Sequence, residues 1–235
     1  MKKANRISVF CLAFFILILF QSFDKKIVQP SLFEKGTVFN YTFTGTNGEI
    51  QGIAEVKVVE VFIRNDTTFS VSKVKWKTKE HGKLKSEFHF EKTKDAFISE
   101  LISLIPPNVK HDQLQHVSVH GNPIVYPIAP SYEKTLSGDS IFIQYESKNK
   151  TQSSNYIISD RRIFAADTSL HFQDFPLWKV TYTESIRSPE MAPNIPSRTR
   201  YVEELYSPEL GVVEAIYRVN GVIEQKKRLT KVECH

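Results

Sequence analysis

Cysteine is almost missing from this 235-residue sequence, which holds only Cys11 and Cys234. Cys11 lies inside an N-terminal apolar run, so the body of the chain retains one thiol. No intramolecular disulfide can form there, and the fold must be held by burial. Other absences exclude chemistry. There is no G-x-S-x-G, no H-E-x-x-H and no strained nucleophile elbow. Cys234 stands beside His235 at the chain end, without the third group and preorganised cleft that a Cys-His dyad needs, and reads as part of a tail. No internal repeat or low-complexity tract is present. No apolar run reaches the roughly 20 residues a helix needs to cross a bilayer.

What is present begins with a leader. Lys2, Lys3 and Arg6 precede an uncharged run from Ile7 to Phe20, 14 residues long, followed by Gln21-Ser22-Phe23 and charged Asp24-Lys25-Lys26. A basic start and a short apolar run are the pattern of an export signal, with cleavage expected near Ser22. Phe20 stands where a small residue is preferred, so an uncleaved anchor over residues 7–23 is the alternative. Cys11 sits within the run instead of after it, which argues against lipidation. The division expected is a signal at 1–22, an extension at 23–35 and one β domain at 36–235, placed in the periplasm or at the cell surface. Membrane association is expected only through a retained leader.

Charge says little about partners. The chain holds 31 Lys+Arg against 26 Asp+Glu, and removing the three leader bases leaves 28 against 26, or +2. In Lys73-Val74-Lys75-Trp76-Lys77 the charges fall on every second residue, as on the solvated face of a strand. A nucleic-acid track would gather positive charge on one face, so no nucleic-acid partner is expected.

The periodicity is that of strands. With 17 Phe, 9 Tyr and 2 Trp, aromatic residues supply the core. Phe39, Tyr41 and Phe43 alternate with polar residues ahead of Asn47-Gly48. A two-residue loop there sets Phe43 opposite Gly52, Tyr41 opposite Ala54 and Phe39 opposite Val56. In a second hairpin, a three-residue loop Glu80-His81-Gly82, with Gly82 left-handed, pairs Val74 with Phe88, Trp76 with Ser86 and Thr78 with Leu84. Trp76 and Phe88 then share a face, and His81 is a turn residue. A third turns at Asn220-Gly221 and opposes Val212 to Leu229, Glu214 to Lys227, Ile216 to Gln225 and Arg218 to Ile223. Further strands are expected at Ser140 to Tyr145, Asn155 to Ile158 and Trp178 to Ile186. Phe97 to Ile105 fits a short helix ending before Pro106 or a strand. The fold class is all-β with at most a minor helix: a curved antiparallel sheet, half-barrel or β-sandwich built from hairpins.

Turn chemistry carries one family likeness. Tyr126-Pro127, then Leu136-Ser137-Gly138-Asp139-Ser140-Ile141, then Tyr206-Ser207-Pro208-Glu209-Leu210-Gly211-Val212-Val213 and the Asn220-Gly221 hairpin with Leu229 resemble the TapB-like group of exported bacterial domains of unknown function. In that group a "yP…l..Gd.l" element precedes a "y.p.vGlV…y…g…L" ending, and the likeness spans about residues 36–232. Asp160-Arg161-Arg162 and the stretch from Lys94 to His120 depart from it. The resemblance implies an antiparallel β architecture in the bacterial envelope and names no catalytic residue.

Candidate sites are weak. His111, His116 and His120, with Asp112, have the residue types of a zinc site, but ligands four apart on a strand are separated by about 13 Å, too far for one ion with bonds near 2 Å. Glu203-Glu204 point to opposite faces of a strand and cannot act together. Asp160-Arg161-Arg162 reads as a solvated turn before it reads as an anion clamp. No catalytic residue, metal or other cofactor is expected. The sequence supports a non-catalytic binding or scaffold domain whose concave aromatic face takes an apolar ligand or an envelope partner protein. The alternative is a hydrolase of cell-envelope or extracellular polymers.

Overall fold

The computed structural model describes residues 29–78, 82–99, 114–121, 123–128, 130, 132–147, 151–164, 169–187 and 198–234. They form sixteen strands: β1 (Val38–Gly45), β2 (Ile50–Arg64), β3 (Thr67–Thr78), β4 (Gly82–Lys92), β5 (Ala96–Ser99), β6 (Leu114–Gly121), β7 (Ile124–Pro127), β8 (Lys134–Thr135), β9 (Asp139–Ser147), β10 (Thr151–Ile163), β11 (His171–Phe172), β12 (Phe175–Pro176), β13 (Trp178–Arg187), β14 (Arg198–Ser207), β15 (Gly211–Val219) and β16 (Val222–Glu233). Fourteen make one antiparallel sheet in the order β6-β9-β10-β13-β14-β15-β16-β1-β2-β3-β4-β5-β7, with β8 on the edge of β10, and β11 and β12 form a separate small pair. The expectation of an all-β, curved antiparallel fold holds. Phe97, offered to helix or strand, is in β5, and the rest of that segment lies outside the described residues.

Alternation decides which face is inside. Phe39, Tyr41, Phe43, Val56, Val58, Val74, Trp76, Phe88, Val180, Tyr182, Val202 and Tyr206 are all buried on the concave face. Lys73, Lys75 and Lys77 between them are exposed, as the interleaved charge required. The sheet curves until distant strands meet through its interior. Tyr206 on β14 donates its hydroxyl to the Pro127 carbonyl of β7 at 2.6 Å, although eight steps of the sheet separate those strands. The concave face is therefore packed against itself, and it remains an open, curved sheet.

The hairpins show where sequence reasoning ends. In the first, the three aromatic pairs are as expected, but Thr44 pairs with Ile50 after a register shift. The turn is held by Gly45 N–H to Glu49 O at 2.9 Å and Gly48 N–H to Gly45 O at 3.0 Å, with Gly48 at φ 76°. The loop is thus Thr46-Asn47-Gly48, and a bulge restores the register that the two-residue loop was expected to set. In the second, Val74 pairs with Ser86, Trp76 with Leu84 and Thr78 with Gly82, so Gly82 is a strand residue and not the loop glycine. The expected register is wrong by two. Both registers place Trp76 and Phe88 on the same face, so burial does not choose between them; the rings lie 6.4 Å apart. His81 is outside the described residues.

The third hairpin turns where expected, with Asn220 at φ 51° and Gly221 at φ 79°. Arg218 faces Ile223, but Tyr217 then faces Gln225, Ala215 faces Lys227 and Glu214 faces Arg228. One extra residue in β16 displaces the whole register beyond Ile223. With that bulge Lys227, expected opposite Glu214, lies instead opposite Ala215 and in the interior.

Candidate functional site

The inner face carries charges that only alternation could have announced. In β14 the inward residues are Arg200, Val202, Glu204 and Tyr206; in β13 they are Trp178, Val180, Tyr182 and Glu184. Glu204 is wholly buried and Lys227 is 3% exposed. Between them in the same row stands Ala215, paired to both. Its small side chain leaves the space through which the acid and the amine interact.

Both oxygens of Glu204 are occupied. Tyr126 donates to Oε2 at 2.8 Å and Tyr182 to Oε1 at 2.9 Å. Burial raises the carboxyl to about 7, against the opposing pull of Lys227, the two tyrosines and Arg161. Burial likewise lowers Lys227 to about 8 while Glu204 resists the change. The two phenols are pushed well above their ordinary range, first by burial and then by the Glu204 charge.

Arg161 completes this cluster and corrects an expectation. A bulge in β10 separates Ser159 from Arg162, Asp160 takes φ 52°, and Arg161 turns inward to 1% exposure instead of lying in a solvated turn. Its guanidinium lies 4.8 Å from the Tyr126 ring centroid, with Nη1 3.7 Å from Asp139 Oδ2. Burial raises the Asp139 carboxyl, and Arg161 opposes that rise. A second buried pair lies nearby. Arg200 Nε donates to Glu184 Oε2 at 2.8 Å and its guanidinium sits 4.8 Å from the Tyr217 ring centroid.

Beside Lys227 is a cavity of about 30 Å³, lined chiefly by Leu32, Tyr41, Phe88, Phe97, Val212 and Lys227 itself. That is room for one or two waters. The Lys227 ammonium lies 4.7 Å from the Tyr41 ring centroid. Leu32 closes the cavity as part of a segment held by Leu32 N–H to Glu209 O at 2.7 Å and Ser31 Oγ to Glu209 at 2.9 Å.

Of the residues singled out from sequence, only Glu204 and Arg161 are brought to this site. Glu203 points outward to Lys179, 2.8 Å away, as strand geometry required of adjacent residues. His116 and His120 lie on β6, and His120 is exposed; His111 and Asp112 are outside the described residues. Among the described residues no three His, Cys, Asp or Glu side chains converge as metal ligands. Cys234 is exposed, and His235 is not described. The inward charges Glu184 and Glu204 were legible in the alternation of Trp178 to Ile186 and Val202 to Tyr206. Arg161 and Lys227 were not, because a bulge puts each of them inside.

Residues 34–223 match the DUF3108-like family. The chain belongs to this family of domains of unknown function. Two solved structures share the DUF3108-like chain's fold. One is a candidate exported protein of Bacteroides fragilis with a YmcC-like fold, 16% identical, at a TM-score of 0.69, covering 87% of this chain and 97% of that one. The other is a candidate lipoprotein of Parabacteroides distasonis, 20% identical, at a TM-score of 0.70, covering 87% and 99%. Comparison with curated proteins gives no match. The TapB-like name suggested by the turn motifs is carried by none of these.

Proposed function

We propose that this DUF3108-like chain is an exported, non-catalytic envelope domain that binds an amphiphile with one apolar chain and an acidic head. The cavity carries the reading: its wall is mostly aromatic and aliphatic, and its one charged lining group among the described residues is the amine of Lys227. Its present volume is far below the roughly 300 Å³ of a typical ligand pocket, so the ligand chain takes the place of the segment around Leu32. The acidic head then replaces Glu204 as the partner of Lys227, and Glu204, already raised to about 7, takes up a proton. The leader and the exported and lipoprotein descriptions of the two structural neighbours support an envelope location, in keeping with the TapB-like turn motifs. A hydrolase would need an acid that substrate can reach, whereas Glu204, the acid raised to about 7, is enclosed by two tyrosines.

Thermal unfolding with saturated fatty acids of increasing length, against alkylamines of equal length, tests this. The acids should raise Tm and the amines should not, with affinity increasing as pH falls from 8 to 6. Lys227→Met should remove the preference for the acid, and Leu32→Ala should strengthen binding by opening the cavity. No shift with any acid, in the native chain or in Leu32→Ala, would refute the proposal.

A further inference from the structure

Residues 31–36 fold on themselves before the chain enters β1. Phe33 N–H donates to Ser31 Oγ at 3.1 Å, Glu34 N–H to Ser31 O at 3.1 Å and Thr37 N–H to Glu34 O at 3.2 Å. These bonds are local, so they persist when the segment moves as one piece. It meets the sheet at Gly36, which takes φ 94° and donates to Val58 O at 3.0 Å. Glycine accommodates this conformation and others at little steric cost, as a hinge requires.

Ahead of that hinge, the hydrogen bonds to the body of the molecule converge on one residue. Among the described residues, those that tie 31–35 to the rest are Leu32 N–H to the Glu209 carbonyl at 2.7 Å and Ser31 Oγ to Glu209 Oε2 at 2.9 Å. Lys92 contacts the other carboxylate oxygen, Oε1, and its ammonium lies 5.8 Å from the Phe33 ring centroid. The side chains of Glu209 and Lys92 are 39% and 28% exposed, so solvent reaches them. Leu32 is 2% exposed and lines the cavity, and Phe33 packs edge-on against Phe97. Gly211 completes the seat, since a Cβ there would lie 2.8 Å from Leu32 Cδ1. The Ser207 to Gly211 turn, legible in the sequence as turn chemistry alone, thus holds the segment that closes the cavity.

We propose that residues 31–36 are a strap over the cavity, hinged at Gly36 and caught by Glu209, and that release of this catch admits the ligand. What enters rests on the amphiphile reading; the strap and its catch do not. A ligand that binds only the open form has an apparent affinity proportional to the fraction of chains in which the strap is open. Weakening the catch raises that fraction and leaves Lys227 and Glu204 in place. The Leu32 amide reports the same fraction, because it exchanges with solvent only when its bond to Glu209 opens. Exchange and affinity must therefore change by one common factor.

The test measures hydrogen exchange at the Leu32 amide by NMR and dodecanoate binding by calorimetry, at neutral pH in the exported chain. Glu209→Gln keeps the shape of the side chain and removes its charge. It should speed Leu32 exchange by about three- to tenfold, leave β1 and β16 unchanged, and strengthen dodecanoate binding by the same factor. Lys92→Met should act in the same direction. Glu214→Gln, which removes an exposed ion pair with Arg228 elsewhere on the sheet, should alter neither quantity. If Glu209→Gln fails to fold, Ser31→Ala removes one bond of the catch and gives the same two readings. Unchanged exchange at Leu32 overturns the catch, whatever binds. Faster exchange with unchanged affinity overturns the gate and leaves the amphiphile reading standing. Faster exchange with dodecanoate bound by no variant overturns the amphiphile reading and the gate with it.

Discussion

Lys227 and Glu204 make the interior responsive to pH, and the direction follows from where each titrates. Glu204 rises from 4.5 to about 7 in the fold, so its contribution to stability is complete below 4.5 and is lost as pH climbs to about 7. Lys227 falls from 10.5 to about 8, so its contribution is complete above 10.5 and is lost as pH descends to about 8. The pair therefore weakens the fold most between about 7 and 8. Subtracting the denaturant stability of Glu204→Gln/Lys227→Met from that of the native chain at each pH should leave a minimum in that window, on the order of 2 kcal/mol deep; a flat difference would refute it. Lys227→Met alone leaves a buried carboxylate without its cation and should cost about 3 kcal/mol, whereas the double variant should lie near the native value. Ala215→Leu, placed between acid and amine, should cost about 1–3 kcal/mol by overpacking.

At the scale of elements, bulges separate what could be read from what could not. Strand identity, hairpin positions and the buried faces of Phe39 to Phe43 and of Trp76 were available from period-two alternation, which any register with the correct parity preserves. The inserted residues in β10 and β16 change that parity partway along a strand, and no turn signal marks them. Arg161 and Lys227 are therefore the charges that alternation misplaces. Deleting Glu224, the bulged residue, should return β16 to regular pairing with Lys227 still opposite Ala215 and inside, so Tm should fall only by the loss of the Glu224 contacts with Arg198 and Arg200, measured by thermal melting. Gly211 makes a different demand. It has φ +70°, and an added Cβ would lie 2.8 Å from Leu32 Cδ1. Gly211→Ala should cost more than the roughly 1 kcal/mol of backbone strain alone, and Leu32→Ala in the same chain should recover part of the loss in Tm.

For the whole molecule, curvature converts an edge strand into an interior one. β7 ends the sheet in hydrogen-bond order, yet Tyr126 and Tyr206 tie it to β14 through Glu204 and Pro127. Tyr126→Phe/Tyr206→Phe should remove both ties. Amide exchange should then speed up in β5 and β7 by about tenfold or more while β1 and β16 stay protected. Equal acceleration throughout would show that the two ends are not held by these hydroxyls. Closure of this kind joins residues remote in sequence, so it escapes local patterns.

The first strand of the sheet lies beside the last: Val38 pairs with Glu233 and Tyr41 with Leu229. β1 and β16 thus meet in the middle of the sheet, and each half can form its hairpins while the seam between them stays open. A chain delivered from its N-terminus cannot close that seam until β16 arrives, so the sheet is completed by a slow encounter between segments distant in sequence.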